Sequence, residues 1–265
     1  MNSSVVVTGC GTGLGRAIFE RLIKDGWAVV GLELDAGRAA DARSVPGAGD
    51  VIEGDAGDRG DLGRARERAV SLAPLGGWVN NAALPLPGNL HDPRQDEVER
   101  LFRVSLMGYY WGCSEAIQQF VAKKSAGAIV NISSIHARAA FTGWAAYDTA
   151  KGGINSLTRY IAVEYGPVGI RANAIEPGAM RTDLLQAVID RDPDPAHMER
   201  DMASIHPMNR IGEASEIGSV ASFLLSSDAS FVSGQCIPVD GAATARCHAY
   251  PVDPTLVEAY GLPTA

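Results

Sequence analysis

The chain has 265 residues, a formal net charge of −8 and a pI near 5.1, which excludes the basic stripe that nucleic-acid binding requires. Its start, Met1-Asn2-Ser3-Ser4, lacks the features of a signal peptide, and no apolar run approaches the roughly 20 residues of a membrane span, so a cytoplasmic globular protein is expected. Cys10, Cys113, Cys236 and Cys247 lie far apart, with no C-x-x-C pair and no zinc spacing; they read as free thiols, no metal is expected, and Cys247-His248 is read as a plain neighbouring pair.

Apolar runs of strand length alternate with amphipathic stretches of helix length. Strands are expected at 4–7, 28–34, 50–53, 77–80, 128–133, 170–175 and 235–239, and helices at 16–24, 61–72, 96–121, 145–165 and 214–225. In the first helix Ile18, Phe19, Leu22 and Ile23 share one face, and Gly26 marks its end. Short apolar strands without strict alternation indicate a parallel sheet buried on both faces. The expected fold class is therefore α/β: a doubly wound, Rossmann-like parallel sheet of about seven strands with helices on both faces. No repeat or linker divides the chain, so one domain over 1–265 is expected. Residues 191–206, with "RDPDPAH", interrupt the pattern and make 183–206 a candidate substrate lid, with a plain surface loop as the alternative. The tail, 242–265, lacks clear periodicity and reads as a C-terminal extension.

The first strand runs into "TGCGTGLG", residues 8–15, with glycine at every second position. Such a strand-to-helix turn presents bare backbone N–H groups and a positive helix end to an anion. It fits T-G-x-x-x-G-x-G through Thr8, Gly9, Gly13 and Gly15, and not G-x-G-x-x-G, and reads as a phosphate site, with a tight structural turn as the alternative. The second strand ends in "VVGLELD". Glu33 there, with Asp35 as fallback, would accept hydrogen bonds from the adenosine ribose and repel a 2′-phosphate, which favours NAD over NADP; Arg38 is the opposing feature. Asp55, after the third strand, would receive the adenine amino group or cap the next helix.

Within "SSIHARAAFTGWAAYDTAK", Tyr147 and Lys151 stand four apart, one helical turn on one face. A neighbouring ammonium and the positive nicotinamide would lower the phenol pKa toward neutrality, so Tyr147 can act as acid or base toward a carbonyl or an alcohol. Ser134, at the end of the preceding strand, would hydrogen-bond the substrate oxygen.

Together these stretches resemble the short-chain dehydrogenase/reductase family of single-domain NAD(P)-dependent oxidoreductases. The matches run nearly to Gly241: "TGCGTGLG", "NNAA" at 80–83, Ser134 thirteen residues before Tyr147, "YDTAK", "GIRANAIEPGAMRT" at 169–182 and "PMNRIGEASEIGSVASFLLSSDASFVSGQCIPVDG" at 207–241. The resemblance implies that Ser134 orients the substrate oxygen, Tyr147 is the acid/base, and Lys151 holds the nicotinamide ribose and tunes Tyr147. It implies a cofactor site formed by Gly9, Thr12, Gly13, Leu14, Gly15, Glu33, Asp55, Ala56, Asn81, Tyr147, Lys151, Pro177, Gly178, Met180 and Thr182. It also implies a homo-oligomer, a tetramer or dimer built on the long helices. Two positions depart from the pattern. Ser105 in "VSLMG" stands where the family usually has an Asn tied to a water-mediated proton relay from the lysine, and Ala83 replaces a Gly.

The expected activity is hydride transfer between a nicotinamide and a secondary alcohol or ketone (EC 1.1.1.-), with sugars and polyols as the first substrate class. His136, Arg138, Trp144 and Glu176 are the candidate substrate contacts, each with a structural alternative: loop anchoring, a surface ion pair, helix-start packing, or the turn before Pro177. Trp144, Met180, Leu184 and Leu185 suggest the alternative, an apolar cyclic or aromatic alcohol. A third reading, NAD binding without turnover as a sensor or scaffold, is motivated by Ser105 and opposed by the intact Ser134/Tyr147/Lys151 set.

Overall fold

Seven parallel strands form the centre of the molecule: β1 (Ser4–Thr8), β2 (Ala28–Glu33), β3 (Asp50–Glu53), β4 (Leu75–Asn80), β5 (Gly127–Ile132), β6 (Ile170–Pro177) and, after two short strands, β9 (Cys236–Val239), in spatial order β3-β2-β1-β4-β5-β6-β9. The computed structural model describes residues 3–247 and 253–261. His248 and parts of the extension, 248–252 and 262–265, lie outside them. The order reverses between β1 and β4, so the carboxyl edge opens a crevice there, the place where doubly wound sheets bind ligands.

Strand side chains alternate between two cores. Val5, Val7, Val29, Val79 and Val130 pack with Ile18, Phe19 and Leu22 of α1 (Gly13–Lys24) and with Ile217, Ala221 and Leu224 of α9 (Ala214–Leu225). Val6, Val30, Trp78 and Ile129 pack on the other face with Leu62 and Ala65 of α3 (Arg59–Leu72), Ala116 and Phe120 of α5 (Gly108–Lys123) and Ile161 of α6 (Ala145–Tyr165). Burial on both faces is why the strands read as continuous apolar runs.

A buried polar chain ties α6 to the sheet. Trp78 Nε1 donates to Asn80 Oδ1 (2.8 Å), Asn80 Nδ2 to Asn131 Oδ1 (2.9 Å), and Asn131 Nδ2 to Thr158 Oγ1 (2.9 Å). A satisfied network of this kind fixes the register of the helix that carries Tyr147 and Lys151.

The structure corrects several sequence expectations. The single helix expected at 96–121 is α4 (Gln95–Phe102), a π-turn (Arg103–Met107) and α5. Apolar periodicity runs unbroken through the π-turn, whose widened hydrogen bonding leaves no compositional mark. The "RDPDPAH" interruption is only in part a loop: a turn at residues 191–194 joins α7 (Asp183–Asp190) to α8 (Pro195–Ser204), with Asp194 accepting from His197 N (3.0 Å) and Pro195 opening the helix. That Asp-Pro pair was a readable helix start. The helix α2 (Ala36–Arg43) was not expected, because its buried face is only Ala39 and Ala42. A two-strand ribbon, β7 (Met180–Arg181) with β8 (Gly212–Glu213), brackets α7 and α8, and α10 (Pro254–Tyr260) lies in the extension. Gly26, at φ +84°, follows the end of α1 as expected.

Candidate functional site

β1 ends at the carboxyl edge and the chain turns sharply into α1. Gly9 (φ +66°) and Gly13 (φ +57°) occupy the left-handed region, whereas Gly11 and Gly15 are there for space. A Cβ on Gly15 would stand 1.9 Å from Gly9 O, and one on Gly11 2.7 Å from Glu33 Oε2. Asn81 holds the turn: its Nδ2 donates to Thr8 O (3.1 Å) and Gly9 O (3.0 Å), while Thr8 Oγ1 accepts from Asn81 N (3.0 Å) and Ala82 N (3.1 Å). The N-terminus of α1 has no side-chain cap and no acidic residue in its first turn. Its orphan N–H groups are therefore available to an anion.

The turn forms one wall of a cleft of about 390 Å³ that brings together Gly9, Thr12, Gly13, Leu14, Gly15, Glu33, Asp55, Ala56, Asn81, Tyr147 and Thr182. Glu33 closes the β2 side, accepting from Gly11 N (2.9 Å) and Asp35 N (3.2 Å). Asp55 accepts from Gly57 N (2.7 Å) and pairs with Arg103 (2.8 Å). The cap of α3 is Asp58, not Asp55. Arg38, Arg100 and Arg103 also line the cleft, and Thr12 Oγ1 donates to Asp183 Oδ2 (2.5 Å) across its mouth. Of these, sequence reading weighed only Arg38 and Thr12; the others come from elements whose approach no local pattern encodes.

At the other end of the cleft stands Tyr147, with Lys151 one turn along α6. Lys151 is fully buried, and its Nζ donates to Ile132 O (2.8 Å). Burial lowers the Lys151 pKa to about 7 and pushes Tyr147 up to about 12, where Asp148 adds to the rise and a hydrogen bond with Ser134 opposes it. The expected lowering of the phenol is thus not present in the chain alone, because desolvation is the largest influence. Ser134 is buried beside Tyr147, and its Oγ accepts from His136 N (3.2 Å).

An aromatic wall surrounds Tyr147. His136 stacks on Phe141 (ring centroids 4.0 Å apart) and meets Tyr147 edge-on at 5.2 Å, and Trp144 meets Tyr147 at 5.6 Å. His136 Nδ1 pairs with Asp148 Oδ1 (2.6 Å), and burial holds the imidazole below its usual pKa. Sequence reading passed over Phe141. Arg138 and Glu176, in contrast, are spent on each other: Arg138 Nε and Nη2 donate to Glu176 Oε2 (3.0 and 2.8 Å), and Asn155 Nδ2 donates to Oε1 (2.7 Å). Arg138→Met leaves the fully buried Glu176 carboxylate short of two donors, and is expected to lower stability by about 1–3 kcal/mol in urea unfolding.

Pro177, Gly178 and Met180 do not reach the lining of the cleft. Gly178 N donates to Val239 O (3.1 Å), Ala179 N to His206 Nε2 (3.1 Å), and Met180 is buried in β7. Ser105, in the π-turn, is also internal: its Oγ accepts from Leu84 N (2.9 Å). Among the described residues no group of His, Cys, Asp and Glu could hold a metal ion, and no helix is long and apolar enough to cross a membrane.

An uncapped glycine turn, a carboxylate at the end of β2 and a Tyr/Lys pair at the far end suit a nicotinamide dinucleotide. The family profile described as enoyl-(acyl carrier protein) reductase matches residues 9–244. The 3beta-hydroxysteroid dehydrogenase 1 of Eggerthella lenta is 33% identical over 248 residues, covering 91% of this chain and 93% of the relative. The 2,5-dichloro-2,5-cyclohexadiene-1,4-diol dehydrogenase of Sphingobium indicum is 34% identical over 246 residues, covering 91% and 97%. Among solved structures, the aldohexose dehydrogenase of Thermoplasma acidophilum superposes with a TM-score of 0.86 at 30% identity, covering 95% of this chain and 98% of the other. Levodione reductase gives 0.85 at 30%, covering 92% and 98%. With the profile spanning most of the chain and curated relatives matching along nearly their whole length, the chain belongs to the short-chain dehydrogenase/reductase family of oxidoreductases.

Proposed function

We propose that the protein is an NAD-dependent dehydrogenase of secondary alcohols, or in reverse a ketone reductase, with Ser134, Tyr147 and Lys151 as its catalytic residues. The observation that carries this is Tyr147 at the cleft wall, one turn from a buried Lys151 whose Nζ donates to Ile132 O, at the end of the cleft where Ser134 is also buried. When bound, the nicotinamide accepts or supplies the hydride. Ser134 holds the substrate oxygen by its hydroxyl, and Tyr147 Oη takes the alcohol proton in oxidation or returns it in reduction. Lys151 favours the phenolate that oxidation requires, since a nearby positive charge stabilises it. The uncapped α1 N-terminus would hold the diphosphate, and Asp55 and Ala56 would border the adenine. One catalytic domain spans the chain on this reading, with α7 and α8 as the lid over substrate.

Glu33 is the ground for choosing NAD. Its carboxylate, at the cleft wall, suits ribose hydroxyls and opposes a 2′-phosphate, against the pull of Arg38. A fluorescence titration is expected to show NADH binding at least about tenfold tighter than NADPH, with the preference lost in Glu33→Ala. Equal or preferential NADPH binding would transfer the specificity to Arg38.

For substrate, a hydroxyl borne on a ring suits the aromatic wall of His136, Phe141 and Trp144. Sugars and polyols remain the first class. The wall itself also favours the second, apolar cyclic alcohols, as do the names of the hydroxysteroid and cyclohexadiene-diol relatives. Rates with NAD on matched hexoses and cycloalkanols separate the two. Exposed Tyr110 and Val121 on α5, and Tyr160 and Val163 on α6, suit a homo-oligomer contact.

A further inference from the structure

A second buried phenol touches Lys151. Tyr109 lies just past the π-turn on α5 and is 1% exposed. Its Oη donates to Ile132 O (2.9 Å) and accepts from Lys151 Nζ (3.4 Å), and the lysine nitrogen also donates to Ile132 O (2.8 Å). The nitrogen lies 5.1 Å from the centre of the Tyr109 ring and 5.4 Å from that of Tyr147.

The surroundings leave this nitrogen few partners. Tyr109, with Cys113 beside it, faces it from α5; Ile132 O faces it from the end of β5; His136 does so from the following turn and Tyr147 from its own helix. Asp148 is committed to His136 and to Phe141 N (3.0 Å), and among the described residues no carboxylate pairs with Lys151. Ser105, at the position where the family pattern has Asn, has its hydroxyl engaged with Leu84 N (2.9 Å). A buried ammonium keeps its charge only where acceptors take its protons. Two oxygens do so here: one carbonyl and the Tyr109 phenol.

We propose that Tyr109 is a positioning residue of the catalytic machinery, whose hydroxyl, by accepting from Lys151, keeps the ammonium charged and fixed between Ile132 O and Tyr147. The proposal rests on the reading of Tyr147 and Lys151 given above. An acceptor on the ammonium favours its charged form, so deleting that acceptor lowers the Lys151 pKa and weakens its hold on the Tyr147 phenolate.

The chain has four lysines, Lys24, Lys123, Lys124 and Lys151, and the first three are exposed. Lysine labelled with 13C at Cε therefore yields one resonance that titrates apart from the rest. In Tyr109→Phe, which keeps the packed ring, that resonance is expected to titrate at least about half a pH unit lower than in the wild type while the other three stay in place. A Lys151 titration the same in both proteins would overturn the proposal and leave Tyr109 a packing residue. This readout needs no turnover, so it stands apart from failure of the oxidoreductase reading, which would show as an alcohol panel without turnover by the wild type. In the active enzyme, the rising limb of the oxidation pH profile is expected to move to higher pH in Tyr109→Phe with NADH affinity unchanged; an unmoved limb would also overturn the proposal.

Discussion

Tyr147→Phe is expected to lower turnover of any secondary alcohol the protein oxidises by about 10²–10⁴-fold while leaving NADH affinity within about threefold. The substitution removes one oxygen and keeps the ring, whose edge-on contacts with His136 and Trp144 persist. Steady-state rates and a parallel NADH titration check it. The wild-type phenol starts from a pKa raised to about 12 by burial, so oxidation is expected to accelerate as pH rises toward the value that Lys151 and bound cofactor impose. Turnover unaffected by the substitution would remove Tyr147 from the mechanism, and tight NADH binding with no turnover by the wild type would favour the sensor reading.

The second large effect is expected at Gly15. Gly15→Ala places a methyl 1.9 Å from Gly9 O and 2.4 Å from Asn81 Nδ2, the group that pins Gly9 O and Thr8 O. Both contacts involve the staple that shapes the turn, so the backbone has to move. Overpacking of this kind costs about 1–3 kcal/mol or more, and a displaced turn no longer aims its N–H groups at a diphosphate. NADH affinity is expected to fall by about 100-fold or more, with a lower thermal midpoint. Gly13→Ala is the contrast. Its nearest neighbour is Thr182 Cγ2 at 3.3 Å, so the cost is chiefly the left-handed φ, about 1 kcal/mol, and a smaller loss of affinity is expected. Equal NADH affinity in Gly15→Ala and wild type would place the dinucleotide elsewhere.

The two predictions probe opposite ends of one cleft, and its geometry explains why both are large. On the proposed reading the glycine turn would act through backbone groups, which tolerate little displacement, and the Tyr147 end through one hydroxyl. The Ser105 departure fits between them. Its hydroxyl satisfies Leu84 N inside the π-turn, and the lysine finds Tyr109 instead.

The local sequence by itself determined the α/β alternation, the parallel sheet buried on both faces, the glycine turn and the Tyr147/Lys151 spacing. Each depends on short-range physics: strand and helix periods, glycine's access to positive φ, and the four-residue repeat that puts two side chains on one helical face. What tertiary structure decided involves groups far apart in the chain. Glu176 was read beside Pro177 as a substrate contact, yet packing gives its oxygens to Arg138 and Asn155. Asp183 meets Thr12, Arg103 meets Asp55 and Tyr109 meets Lys151 across 171, 48 and 42 residues of sequence. The π-turn that precedes Tyr109 leaves no compositional trace, because it changes hydrogen bonding and not the order of apolar residues. The pKa of Lys151 belongs to the same group: a lysine has no perturbation until the fold removes its water.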